Sequence, residues 1–130
     1  KNNISITNEL KNFVLSERKN VSIHALWALK GINELDKKTH IHALKSKNTE
    51  LVKNAIKALS KDYEHQRLFF ESNVLFNENP QIRLTALTQL LTYEKNEEII
   101  DLIKKIKNDD RNQDDEWIKI ALNTLEKLKN

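Results

Sequence analysis

Four stretches of the chain repeat one pattern of apolar and polar positions: RKNVSIHALWAL (residues 18–29), NTELVKNAIKAL (48–59), NPQIRLTALTQL (79–90) and DDEWIKIALNTL (114–125). Val21, Leu51, Ile82 and Trp117 share the first apolar column, and Ala25, Ala55, Ala86 and Ala121 the second. Leu26, Ile56, Leu87 and Leu122 form the third, and Leu29, Leu59, Leu90 and Leu125 close the unit. Offsets of i, i+4, i+5 and i+8 fall on one face of a helix, so each stretch reads as a helix with a core-facing stripe. A small residue at the same place each time lets a neighbouring helix approach closely. The alanines are 30, 31 and 35 residues apart, the length of one helical hairpin per unit.

Each of these second helices needs a partner. The preceding segments Ile4–Leu15, Asp36–Lys45, Tyr63–Phe76 and Asn96–Lys107 supply one apiece. Their expected inward residues are Ile6, Leu10, Phe13 and Val14; Leu35, Ile41 and Leu44; Leu68, Phe69, Val74 and Leu75; and Ile99, Ile100, Ile103 and Ile106. Cap residues stand where starts are expected. Asn48, Asn79 and Asp114 open second helices, Asp36, Asp62 and Asn96 open first helices, and Pro80 suits a first helical position. The expectation is an all-α chain of four antiparallel helix pairs, with units at about 1–33, 34–60, 61–94 and 95–130.

Composition agrees. The 130 residues contain one glycine (Gly31) and one proline (Pro80), too few turn formers for a sheet-rich domain. The absence of cysteine excludes disulfides, thiolate metal sites, Cys-x-x-Cys-His haem attachment and cysteine nucleophiles. No apolar run reaches the ~18 residues of a membrane span. With no Met and no visible leader, the chain reads as a segment of something larger. Net charge is +3, unevenly spread: residues 1–60 carry 11 Lys/Arg against 5 Asp/Glu, residues 61–130 carry 11 against 14. A basic end and an acidic end steer partners, but this charge without a basic motif is weak support for nucleic acid.

Paired helices with an alanine–leucine core, and ENPQIRLTAL at the start of a second helix, resemble HEAT repeats, although the unit is shorter than the usual ~40–47 residues. The implied architecture is an α-solenoid of about four HEAT-like pairs, armadillo-like in the broad sense. VSIHALWALKGINEL, ENPQIRLTALTQL and DDEWIKIAL also resemble, in the same order, blocks of a bacterial family of membrane-bound or secreted sugar-type dehydrogenases. That family combines a β-propeller, HEAT-like repeats and a cytochrome c domain. The resemblance covers residues ~18–125, and its most specific part is the string His24–Leu29. It implies that the chain is the middle segment, that any oxidoreductase activity belongs to the parent protein, and that the parent is periplasmic or in the cell envelope.

Candidate chemistry is sparse. Among His24, His40, His42 and His65, only 40 and 42 are close, and i, i+2 spacing sends two rings to different helix faces. DDRNQDDE (residues 109–116) lacks the order and glycine of a calcium loop and reads as a solvated loop. Glu97 and Glu98 diverge on a helix, and no catalytic triad order or phosphate-cradling glycine loop is present. The expectation is therefore a segment with no catalytic, cofactor or metal residues: a non-catalytic scaffold for another protein or for neighbouring domains of the same chain. Its contact surface should lie on exposed columns of the second helices, at His24, Trp27, Lys53, Lys57, Arg83 and Lys119, with Ser22, Thr88 and Asn123 as further exposed-column positions. The alternative is a nucleic-acid-binding HEAT domain of the DNA-glycosylase type, with Lys53, Lys57, Arg83 and Lys119 on phosphates. Column membership predicts a buried Trp117 and a Trp27 with an accessible edge beside His24.

Overall fold

Local sequence sets the helix starts. Asp36, Asn48, Asp62, Asn79 and Asn96 each accept a backbone N–H of the first turn through the side chain, with Asn79 followed by Pro80 at the helix start. Such caps satisfy donors that a helix cannot pair internally. The computed structural model describes residues 3–16 and 18–129, with side chains described at 4–16, 18–124 and 127. Among them are eight α-helices and no strand: α1 (Asn3–Ser16), α2 (Lys19–Gly31), α3 (Lys37–Leu44), α4 (Thr49–Lys57), α5 (Tyr63–Glu71), α6 (Pro80–Leu90), α7 (Glu97–Lys107) and α8 (Glu116–Lys129). No described helix is long and apolar enough to cross a membrane.

The chain divides after Ser72 into two units. In the first, α1 packs along α2 and α3 along α4, each pair joined by a short link that returns the chain on itself. Also, α1 meets α3 and α2 meets α4. Trp27 reaches Asn54 and Lys30 reaches Ser60, so α2 and α4 run in the same direction. The ion pair Lys11–Asp36 (2.8 Å) ties α1 to the start of α3. In the second unit, α6 packs on α8 and on a 3-10 turn at Val74–Phe76, and α7 on a 3-10 turn at Asp110–Asn112.

Two boundaries differ from expectation. The helix expected over 63–76 stops at Glu71, because Asn73 adopts a left-handed backbone (φ 61°) that asparagine tolerates and a helix does not. The last helix is capped by Asp115, whose carboxylate accepts from the Ile118 N–H at 3.1 Å, rather than by Asp114.

The alanine column and the two leucine-type columns are buried wherever described; Leu125 lies outside the residues whose side chains are described. The first column is not uniform. Leu51 and Ile82 are buried, but Val21 (44% exposed) and Trp117 (69%) face solvent. The position one residue later is buried in all four units, as Ser22, Val52, Arg83 and Ile118. The invariant stripe is thus i, i+3, i+4, i+7, one residue tighter at its start. Two of its members are polar, and this hid it. The Ser22 hydroxyl donates to its own Lys19 carbonyl at 2.8 Å and so behaves as a small core residue. Ser22 is therefore no surface position. In α1 the inward stripe is Thr7 and Val14 with Leu10 half-buried, whereas Ile6 and Phe13 are exposed, against expectation.

The corrected register has a measurable consequence. Val21→Ala should change the urea midpoint by the equivalent of less than about 0.5 kcal/mol, as exposed sites do. Leu51→Ala should cost about 2–5 kcal/mol. Ala55→Leu and Ala86→Leu should each cost about 1–3 kcal/mol by overpacking a close helix contact. Equal losses at Val21 and Leu51 would return the stripe to its first reading.

Candidate functional site

The expected contact residues separate into two groups. His24, Trp27 and Lys57 are exposed on α2 and α4 of the first unit, and Lys119 is exposed on α8. Lys53 is half-buried and pairs with Glu50 at 3.4 Å, as Lys119 pairs with Glu116 at 3.5 Å. Both are i, i+3 pairs on one helix, worth a few tenths of a kcal/mol.

Arg83 does not belong with them. It is buried, and its guanidinium faces inward. Nε donates to Asn112 Oδ1 at 3.0 Å, Nη1 to the carbonyls of Asn77 (2.9 Å) and Glu78 (3.0 Å), and Nη2 to the carbonyl of Arg111 (3.4 Å). Asn112, also buried, donates from Nδ2 to the Ile106 carbonyl at 3.0 Å, near the end of α7. Arg83 thus pins the segment before α6 to the turn after α7. It is a positioning residue of the fold and cannot reach a phosphate, so the nucleic-acid alternative loses one of its four cations. The 109–116 segment is also more than a solvated loop, since Asn112 anchors it inward. Beside it the Arg111 guanidinium, bonded to Asp109 at 2.6 Å, holds that carboxyl down at about 2.

On the first unit, the Trp27 indole N–H donates to Asn54 Oδ1 at 2.9 Å, and Asn54 Nδ2 donates to the Glu50 carbonyl at 2.8 Å. The ring is fixed at one edge and 38% exposed. His24 stands one turn away on α2. Asn54 was not among the expected residues, although a signal existed: it lies 27 residues after Trp27, nearly one repeat length, so it sits beside it on the next second helix. Trp117, expected to be buried, is the more exposed of the two tryptophans. It lies one position before the stripe of Ile118, Ala121 and Leu122.

A second feature of this unit was not anticipated. His40 on α3 is buried, and Nε2 lies 2.8 Å from the Ala55 carbonyl. A carbonyl only accepts, so Nε2 carries the proton. The His65 ring meets His40 edge-on at 5.5 Å, and its Nδ1 accepts the Ser60 N–H at 2.7 Å. Together with Leu35, Tyr63, Arg67 and Leu68 they line a cavity of about 650 Å³. Arg67 lies over the Tyr63 and Phe70 rings, at 5.6 and 4.9 Å from their centroids. Each of these two histidines thus uses a ring nitrogen to hold the backbone. Among the described residues no three His, Asp or Glu side chains converge as a metal set would.

Burial pushes the His40 imidazole from 6.5 down to about 4; the neighbouring His65 and Lys30 add to this and the Ala55 carbonyl opposes it. The unfolded chain therefore binds more protons than the folded one between those values. Stability present above pH 6.5 should fall as pH drops toward 4, by about 3 kcal/mol for this group. Urea unfolding at pH 7.5 and 4.5 should show the loss, and His40→Gln should flatten it. Burial raises the Asp36 carboxyl, but the bonds from Lys11 and Thr39 outweigh it and hold it at about 2, so its stabilisation is fully present above pH 3.8 and is lost as pH falls toward 2. Acrylamide should quench Trp117 more than Trp27 in single-tryptophan variants, and the reverse order would contradict the placement of both rings. No family model matches the chain, and no match was found among curated proteins or among solved structures.

Proposed function

We propose that the chain is a non-catalytic helical-repeat scaffold, a solenoid of four HEAT-like helix pairs that holds another protein or a neighbouring domain against its second helices. The observation that carries this reading is Trp27. A large aromatic, fixed by Asn54 and left over a third exposed one turn from His24, has the character of an interface anchor: rigid, amphipathic and ready to be covered. The stacking of α1–α2 on α3–α4, with like helices adjacent, supports the repeat arrangement. The histidines that would draw attention in an enzyme hold backbone groups instead, which favours a scaffold over a reaction centre.

The resemblance to the dehydrogenase family extends the proposal. The neighbours are then a β-propeller and a cytochrome c module of the same polypeptide, any oxidation belongs to them, and the compartment is the periplasm or cell envelope. A Cys-x-x-Cys-His downstream in the reading frame would support this extension, and its absence would remove it.

The scaffold reading is tested by placing a photocrosslinking amino acid at Lys57, and as a control at Lys104 on α7, in the source cells. Crosslinking at Lys57 should give one dominant adduct. Trp27→Ala should weaken it at least 30-fold, equivalent to the ~2 kcal/mol of an interface anchor, while leaving the unfolding midpoint nearly unchanged. Adducts that form equally at Lys104, or that ignore Trp27, would overturn the proposal.

A further inference from the structure

Ser60, in the link between α4 and α5, ties three elements of the first unit together. Its hydroxyl accepts from Lys30 Nζ at the end of α2 (3.0 Å), and its N–H donates to His65 Nδ1 (2.7 Å). His65 is the third residue of α5, and its own N–H donates to the Asp62 carboxylate that opens the helix, at 2.9 Å. The two bonds make a reciprocal cap, with histidine in the place from which a glutamate or glutamine usually reaches back. The difference is chemical. Nδ1 accepts only while it carries no proton, so in the neutral ring the proton is on Nε2. A second proton goes to Nδ1 and sets one donor against another. A glutamine cannot make that change, whereas histidine is the side chain that gains and loses charge near neutrality.

We propose that the Ser60–His65 bond is an acid-operated clasp: neutral His65 holds the link between α4 and α5 shut, and a proton on its Nδ1 opens it. What opens is the wall beside His40. The two rings meet edge-on at 5.5 Å and line the same cavity. His40 is 1% exposed, and its Nδ1 has no partner. With the clasp shut, that nitrogen is kept from water. Once the His65 ring moves away, His40 Nδ1 can take a proton, so the first protonation prepares the second. Charged groups surround His65 with both signs. From α3 the cavity presents Asp36 and Lys37 besides His40, from α5 itself Glu64, Arg67 and Glu71, and a second hollow against His65 holds Lys30 and Asp62. Four carboxylates thus face three cations and the positive end of α5. These nearly balance, and the lost bond rather than the surrounding field opens the clasp.

Nitrogen-resolved NMR of the whole chain tests the clasp. At pH 7.5 the His65 ring should show an unprotonated Nδ1, and the Ser60 amide should be protected from exchange. As the His65 ring titrates, protection at Ser60, corrected for the intrinsic pH dependence of exchange, should fall about 3- to 10-fold, the scale of one net hydrogen bond. Amides in the middle of α2 and α6 should keep theirs, as a local opening requires. His65→Asn should hold Ser60 protection across the same range, since its Oδ1 accepts in place of Nδ1 and does not titrate. His65→Leu should leave Ser60 unprotected throughout. Neither variant carries charge at 65, yet the His40 ring should take its proton at a higher pH in His65→Leu than in His65→Asn. Ser60 protection that outlasts the titration of His65, or that falls only together with the whole chain, would overturn the proposal. So would a His65 ring with the proton on Nδ1 at pH 7.5.

Discussion

Close approach of helices across a small residue is the constraint on which the rest depends. Ala25, Ala55, Ala86 and Ala121 are all buried, each followed on the stripe by a buried Leu or Ile. These helices are about two to four turns long, too short to hold their shape alone in water. They persist because each buries a stripe against its neighbours, with each fully buried Leu or Ile worth about 1.5–3 kcal/mol. The alanines set how near the neighbours come, and hence whether those contacts form at packing density.

Buried polar groups complete this packing through bonds to backbone and side-chain partners, although His40 Nδ1 has none. Ser22 bonds within its own helix, His40 to the Ala55 carbonyl, Arg83 to three carbonyls and Asn112, and Asn112 to the end of α7. A charge taken out of water without such bonds would be costly. Arg83 and Asn112 explain how the polar segment after α7 keeps a fixed course against the start of α6. His40 is the exception in kind: Nε2 donates to the Ala55 carbonyl in either protonation state, and it is burial that disfavours the charged ring.

What remains at the surface is a set of faces. The Trp27–Asn54 pair gives one firm aromatic edge on the second helices of the first unit. Exposed apolar side chains also stand on α1 (Ile4, Ile6, Phe13 and Leu15) and at the start of α8 (Trp117 and Ile120).

The sequence by itself determined the helical class, most helix starts, and three of the four core columns. These follow from local chemistry: side-chain caps at Asn48, Asn79 and Asn96, and a 3.6-residue periodicity that needs no knowledge of neighbours. It also marked Trp27 as partly open, from the polar company of its column. Tertiary structure decided the rest. A column average cannot tell that Val21 and Trp117 face water while Ser22 and Arg83 do not, because hydropathy ranks a side chain by its transfer from water alone. A serine that bonds its own helix, or an arginine met by four acceptors, loses little by burial, and those acceptors come from residues up to 29 positions away. Likewise the break at Asn73 rests on one left-handed residue, and the burial of His40 on the approach of α4 and α5. Periodicity reports which face turns inward; only the partners that arrive there decide what that face can hold.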